Sequence, residues 1–160
     1  MDIRHINEYD YNLVKDFLLS VKTIKDIDED VLKNAMIVVD NNDILGAVSY
    51  EKFGISGLIR YFVFKRNLTN DTVVSLFKML EETAYDDYIK DIYCVVNNGP
   101  IEELFNELGF LKEKYKMLFI DESDFDLEGN SHAFIMKRQL KNHQIQMIHI
   151  WVLWAAIMEA

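Results

Sequence analysis

The chain has 160 residues, which suffices for one domain with a substantial buried core. Half of its residues are hydrophobic, which excludes an intrinsically disordered chain. Its 27 acidic and 17 basic residues leave a formal net charge of −10, which argues against nucleic acid or an anionic membrane surface as the main binding partner.

The first half of the chain predicts strands grouped around two helices. Apolar residues at helical spacing predict a first helix, which Asp10 caps. The polar residues 40–43 lie between two apolar runs and predict a hairpin turn. The predicted elements are a strand over 3–6, helices over 10–21 and 28–35, and strands over 36–39, 44–50 and 58–65.

The second half begins with a change to helical spacing. The apolar residues from Val73 to Ala84 predict a longer helix, which Asn70 or Asp71 caps. A strand over 89–96 follows, then a short helix from Pro100 to Gly109, then strands over 111–120 and 133–140. The order β-α-α-β-β-β-α-β-α-β-β predicts one α/β domain with a mixed sheet.

The C-terminal stretch differs in composition from the rest. Residues 142–158 contain no Asp, Glu, Lys or Arg, and residues 147–158 are almost entirely apolar but too few for a membrane span. Three interpretations stay open: a helix buried against the domain or against a second copy, an interfacial anchor, and a segment foreign to the natural fold. We therefore expect a domain over 1–140 and an apolar extension over 141–160, through which residues 143–158 can form a homo-oligomer.

Glycine and cysteine usage exclude several classes of protein. The chain has six glycines and neither GxGxxG nor GxxxxGK[ST], which argues against a P-loop NTPase and a Rossmann dehydrogenase. Cys94 is the single cysteine, which excludes an internal disulfide framework and a thiolate-rich zinc site. Together with an N-terminus unlike a secretory signal, it predicts a cytoplasmic protein.

Two further groups of residues have a structural interpretation. The acidic residues between Asp121 and Glu128 begin like a calcium loop, but Ile135 occupies the place of the final bidentate acid. We therefore predict a solvated hairpin loop and no metal site. Cys94 lies within a strand pattern with no adjacent base, which predicts a buried, inert thiol.

The segment Asn98-Gly-Pro-Ile-Glu-Glu-Leu-Phe-Asn-Glu-Leu-Gly-Phe110 and the order of elements resemble the GNAT superfamily of N-acyltransferases over roughly residues 1–140. Members of that family commonly have an asparagine here, then a short helix with a tyrosine, then Leu-Gly-Phe. The resemblance implies a mixed, mostly antiparallel central sheet flanked by helices, and acetyl-CoA as co-substrate.

The family's pyrophosphate motif, Gln/Arg-x-x-Gly-x-Gly/Ala, is degenerate in this chain. Glycines there let backbone N–H groups approach the pyrophosphate at a helix N-terminus. Leu68 replaces the usual Gln or Arg, while Asp71 and Val73 replace the glycines. The resemblance assigns cofactor binding to Val63, Phe64, Leu68, Thr69, Asn70, Asp71, Thr72, Val73, Asn98 and Phe105.

The chemistry of the family also finds only partial matches. Many members protonate the leaving thiolate with a tyrosine, and Phe105 stands at that place. Glu51, Tyr61 and Tyr93 are the nearest candidates for moving protons, and a backbone N–H near Val63 or Phe64 is expected to polarise the thioester carbonyl.

Two functions follow from the resemblance and its departures. The first is an acetyl-CoA-dependent N-acetyltransferase, in which a small-molecule or protein amine attacks the thioester directly. The second is a non-catalytic binding or regulatory module that kept the fold and lost the cofactor site. Nucleic acid and membrane are not expected as partners.

Overall fold

The structure, a computed structural model, describes residues 1–96, 99–113 and 133–140. The order of elements within these ranges is the predicted one. The elements are β1 (Asp2–His5), α1 (Tyr11–Leu19), α2 (Glu29–Leu32), β2 (Met36–Asp40), β3 (Asp43–Phe53), β4 (Ser56–Phe64), α3 (Asn70–Asp86), β5 (Asp91–Val96), α4 (Gly99–Glu107), β6 (Leu111–Lys112) and β7 (Phe134–Gln139).

The strands form one seven-stranded sheet in the order β1-β2-β3-β4-β5-β7-β6. β4 and β5 are parallel and the other neighbours are antiparallel. This confirms the predicted mixed, mostly antiparallel sheet flanked by helices. The β2–β3 hairpin turns at Asn41 and Asn42, whose φ angles of 48° and 64° are those of a two-residue turn that matches the strand twist.

Two apolar clusters lie on the two faces of the sheet. On one face, α3 contributes Leu76, Phe77 and Leu80 to a cluster that also contains Phe105 of α4 and Phe110. On the other face, α1 and α2 contribute a second cluster. Val14, Leu18 and Leu32 are its buried helical members. Each fully buried aliphatic side chain stabilises the fold by about 1.5–3 kcal/mol, so both helical layers are held mainly by burial.

Three features of the predicted helices differ in the structure. The cap of α3 is Thr69, whose hydroxyl accepts from the Thr72 N–H at 3.3 Å, and not Asn70 or Asp71. Asp10 occupies the N-cap position of α1 but makes no capping bond, because Arg4 holds its carboxylate at 2.5 and 2.8 Å. The predicted helix over 28–35 is a single turn, α2.

The C-terminal end of α4 is held by a cation from β7. The Arg138 guanidinium donates to the Leu108 carbonyl and pairs with Glu81 of α3 at 3.1 Å. Gly109 has φ +91°, and a Cβ there would lie 2.7 Å from Nη1 of Arg138. The positive φ favours glycine at this turn, whereas the end of the flexible Arg138 side chain could shift to relieve the close approach.

Several predictions fall outside the described residues. They concern Asn98, the acidic loop between Asp121 and Glu128, most of the strand predicted over 111–120, and the whole C-terminal extension 141–160. Within the described ranges, every helix is too short or too polar to cross a bilayer.

Candidate functional site

A cleft opens where the two parallel strands of the sheet separate. β4 and β5 pair through three residues of each strand, and the last pair is Leu58 with Tyr93. β4 continues to Phe64 and β5 to Val96 with no further pairing between them among the described residues. The backbone groups on this edge of β4 are therefore open to a ligand instead of to a neighbouring strand.

A β-bulge lies in the part of β4 that borders the cleft. The register with β3 changes from Ala47 opposite Val63 to Ser49 opposite Arg60, so β4 carries one extra residue. Tyr61 in this bulge has φ +54°, a conformation that costs a non-glycine residue about 1 kcal/mol or more. Bulges re-aim the backbone groups that follow them.

The bulge places a backbone donor at the cleft. The Lys65 N–H donates to the Leu45 carbonyl of β3 at 2.8 Å. Because successive N–H groups of a strand point to opposite edges, the N–H of Phe64 points away from β3, toward the edge that β5 has left. Of the two residues predicted to polarise a thioester carbonyl, Phe64 rather than Val63 therefore has the suitable direction.

Aromatic side chains close one side of the cleft. The Phe62 ring contacts those of Phe64 and Phe105, with centroids at 5.4 and 5.5 Å. Phe105 is 3% exposed and also packs on Phe77 and Phe110, whereas Phe64 is 37% exposed. Phe105 is thus part of the core, and its predicted contact with a cofactor stays a prediction.

The N-terminus of α3 is largely satisfied by its own side chains. The Thr69 and Thr72 hydroxyls are 2.9 Å apart, and the Val73 N–H donates to the Thr69 carbonyl at 3.1 Å. The first turn of any helix leaves N–H groups without intrahelical acceptors, which here are those of Asn70 and Asp71. These two N–H groups are what α3 offers to an anion.

Two of the residues predicted to bind the cofactor at this end have side chains in the interior. Val73 is 2% exposed. The side chain of Leu68 packs against the core, with Cδ1 3.1 Å from where a Cβ on Gly46 would lie. Neither side chain is available to an anion, and the backbone N–H groups of both residues already donate within the protein.

Charges near the start of α3 have both signs. The Asp71 carboxylate is exposed in the first turn. There it interacts favourably with the positive end of the helix dipole but would repel a bound anion. Lys65 is paired with Asp43 at 2.8 Å. Arg66 is exposed and has no ion-pair partner in the part of the chain that the structure describes, so it is the cation available to a phosphate.

The three residues predicted to move protons share one side of the sheet. Glu51 and Tyr93 both pair with Leu58, from β3 and β5, so their side chains lie on the same face. Tyr61 packs against the α1–α2 cluster of that face. The structure thus gathers these residues beside the cleft, while their catalytic role stays a prediction.

All three have interactions within the protein. The Glu51 carboxylate accepts from Nη1 of Arg60 at 2.5 Å. The Tyr61 hydroxyl accepts the Asp28 N–H at 2.8 Å. The Tyr93 ring lies 5.6 Å from Nζ of Lys137. Glu51 is therefore held as one half of an ion pair, which the sequence did not indicate because it depends on the β3–β4 register.

A cavity of about 430 Å³ adjoins the bulge. We name it the α1–α2 cavity, because the segment between those helices forms one wall and the half of β4 that is not paired with β5 forms the other. Sequence reasoning missed the segment, since it contains no motif or periodic pattern. The cavity is lined by Val21, Thr23, Ile24, Lys25, Asp26, Arg60, Tyr61, Phe62 and Val63.

Cys94 is the inert thiol that the sequence predicts. It is 2% exposed on β5, and burial raises the pKa of its thiol to about 12. A thiol of that pKa is protonated near neutral pH and is a poor nucleophile. No cluster of three His, Cys, Asp or Glu side chains suited to a metal occurs among residues 1–96, 99–113 and 133–140.

Comparisons with known proteins give one relative in sequence and many in structure. No family model matches the chain. YwlB, an uncharacterized protein of Bacillus subtilis (strain 168), is 26% identical over 140 residues, which cover 85% of this chain and 95% of that protein.

Several solved structures similar to this chain are described as acetyltransferases. N-acetylglutamate synthase from Neisseria gonorrhoeae, solved with coenzyme A and N-acetyl-glutamate, superposes with a TM-score of 0.69 and 16% identity over 88% of this chain, which spans 35% of that protein. An acetyltransferase of the GNAT family from Staphylococcus aureus Mu50 superposes with a TM-score of 0.67 and 16% identity, over 88% of this chain and 99% of that one. At these identities the likeness establishes a shared fold.

Proposed function

We propose that this chain, which has the fold of the GNAT superfamily, is an acetyl-CoA-dependent N-acetyltransferase. The observation that carries the proposal is the cleft between β4 and β5, bordered by a bulge that turns the Phe64 N–H toward it. The N-acetylglutamate synthase with which the chain shares its fold was solved with coenzyme A. The α1–α2 cavity on the same stretch of β4 supplies space for an acceptor amine.

The chemistry required of the chain is polarisation of a carbonyl and removal of a proton. The amine nitrogen forms a bond to the acetyl carbon, the carbon–sulfur bond breaks, and the thiolate takes up a proton. The Phe64 N–H is placed to stabilise the negative charge that develops on the carbonyl oxygen. Positioning of the two substrates supplies much of the remaining rate enhancement.

Proton transfer falls to groups beside the cleft. The Tyr61 hydroxyl accepts a backbone bond and retains its own proton to donate. The Glu51 carboxylate is already engaged in an ion pair with Arg60. Tyr61 and Tyr93 are therefore the favoured donors to the departing sulfur, directly or through water.

A second candidate function is a binding or regulatory module without catalysis. The observation that favours it is Asp71, an exposed carboxylate in the first turn of α3 where a pyrophosphate would lie. Two unit charges about 4 Å apart repel by roughly 1 kcal/mol in bulk water and 4 kcal/mol at an effective dielectric of 20. The partly buried Leu68, in place of the family's Gln or Arg, offers no compensating cation.

Titration calorimetry with acetyl-CoA and with free coenzyme A separates the two functions. We expect micromolar binding by the parent protein and roughly tenfold tighter binding by Asp71→Asn, which removes the charge and keeps the shape. Asp71→Gly tests the family's own residue, and Asp16→Asn, at an exposed acid of α1, controls for net charge.

The outcomes differ for the two candidates. Binding by the parent protein, followed by thiol release with an amine acceptor, supports the acetyltransferase. An absence of binding by the parent at millimolar ligand, with binding gained in either Asp71 variant, supports the regulatory module. An absence of binding by all forms contradicts the acetyltransferase.

A further inference from the structure

The α1–α2 cavity contains charged groups of both signs. Lys25 and Asp26 line it from the segment between the helices, and Arg60 lines it from β4. The rest of the lining is apolar or carries hydroxyl groups. Two cations in one small cavity are notable in a chain whose net charge is −10, because elsewhere acids outnumber bases.

The Arg60 guanidinium is held in place by an ion pair that occupies only part of its hydrogen-bond donors. Its Nη1 donates to Glu51 at 2.5 Å, and its guanidinium carbon lies 5.6 Å from the centre of the Tyr61 ring. A guanidinium has five N–H donors in a fixed fork, and no other hydrogen bond of the Arg60 side chain occurs among the described residues. The ion pair thus fixes the fork while leaving donors for a further carboxylate.

Lys25 is available as well. Its side chain is exposed at the cavity and has no ion-pair partner in the described part of the chain. The segment that carries it is tied to the bulge, since the Tyr61 hydroxyl accepts the Asp28 N–H at 2.8 Å. This bond holds the wall with Lys25 opposite the strand with Arg60, which lowers the ordering cost of binding.

We propose that the α1–α2 cavity binds a small amine that also carries a carboxylate, with Lys25 and Arg60 contacting the carboxylate and Asp26 attracting the ammonium group. The proposal rests on the proposed acetyltransferase function and names the class of its acceptor. A volume of about 430 Å³ accommodates a molecule of amino-acid size. The overall negative charge of the chain attracts a polyamine. A polyamine has no carboxylate to pair with Lys25 and Arg60, so we expect it to bind the cavity less tightly.

Calorimetric titration with L-amino acids and their amides tests the proposal at physiological salt. Each acid and its amide share the amine and the side chain and differ only in the carboxylate. The titrations are done with the protein alone and with saturating free coenzyme A, and spermidine is the polyamine probe. Lys25→Gln and Arg60→Gln remove the two cations. Lys22→Gln, at an exposed lysine outside the cavity lining, is the matched control.

We expect at least one acid to bind roughly 10- to 100-fold more tightly than its amide, the range that charge-assisted hydrogen bonds give. Lys25→Gln and Arg60→Gln should remove most of this preference, and Lys22→Gln should keep it. Equal binding of acids and amides, tighter binding of spermidine than of any acid, or an unchanged preference in Lys25→Gln overturns the proposal. Absence of acetyl-CoA binding, measured separately, contradicts the acetyltransferase and leaves the amino-acid result interpretable by itself.

Discussion

The polar groups at the two ends of the cleft differ in whether they have partners within the protein. At the start of α3, the Thr69 and Thr72 hydroxyls satisfy each other and an exposed acid occupies the first turn. At the bulge of β4, within the described part of the chain, Arg60 keeps unused side-chain donors and the Phe64 N–H faces an edge that no strand pairs with. The contrast teaches that, within one fold, one end of a cleft can satisfy its own polar groups while the other end leaves donors for a ligand.

The largest expected effect on stability is at Phe105, whose ring contacts Phe62 beside the cleft. Phe105→Ala should lower the free energy of unfolding by about 3–5 kcal/mol, because the ring is 3% exposed and packs among other phenylalanines. Phe64→Ala should cost under about 1.5 kcal/mol, because this ring is 37% exposed. Urea denaturation measures both, and equal losses would contradict the assignment of Phe105 to the core.

The α3–α4 side should also be sensitive to pH. Burial raises the pKa of Glu81 to about 7, although Arg138 opposes the shift. Since a glutamate in the unfolded chain ionises near its ordinary pKa of 4.5, the folded state binds more protons between these two pKa values, and its stability falls as the pH rises through that window. The loss should be roughly 2–3 kcal/mol between pH 4 and 8.

Glu81→Gln should flatten this pH dependence. Glu82→Gln, at an exposed neighbour on the same helix, is the control and should leave it in place. Thermal unfolding across pH 4 to 8 provides the measurement, and a parallel pH dependence in both variants would show that another group is responsible.

At the bulge, the hydroxyl of Tyr61 is expected to matter more for acceptor binding than for folding. Tyr61→Phe should cost about 0.5–1.5 kcal/mol of stability, the usual value of one hydrogen bond. It should raise KM for the acceptor while leaving acetyl-CoA affinity unchanged, because the lost bond to the Asp28 N–H frees the segment that carries Lys25. Steady-state kinetics with each substrate varied in turn would expose the opposite pattern, a changed affinity for acetyl-CoA alone.

The smallest effect belongs to the cap of α3. Thr69→Ala should cost about 1 kcal/mol, since it removes the hydroxyl that accepts the Thr72 N–H. The same change leaves the Thr72 N–H without its acceptor at the start of α3, so binding of inorganic phosphate there should not weaken. Denaturation and phosphate titration of the same variant test the two parts, and a loss of phosphate binding would assign the Thr69 hydroxyl to the ligand.

Periodicity explains why the order of elements was predictable while the site was only partly so. The apolar stripe of α3 identifies that helix and its buried face without knowledge of the fold. The cap at Thr69 was missed because three successive residues can each serve as a cap.

The bulge and its neighbouring contacts depend on information that a linear sequence does not carry. Tyr61 adopts a positive φ with no glycine to signal it, and the Glu51–Arg60 pair depends on the strand register. The segment that carries Lys25 lines the cavity only because the fold places it opposite β4.

The position of β7 has a consequence for how the chain is made. β7 lies between β5 and β6, and its Arg138 holds the end of α4. During synthesis, β5, α4 and β6 therefore leave the ribosome before the strand that joins them exists. Until residues 134–139 emerge, one edge of β5 presents unpaired ladder groups to other chains. Premature termination ahead of β7 should thus yield an aggregating fragment rather than a smaller folded domain.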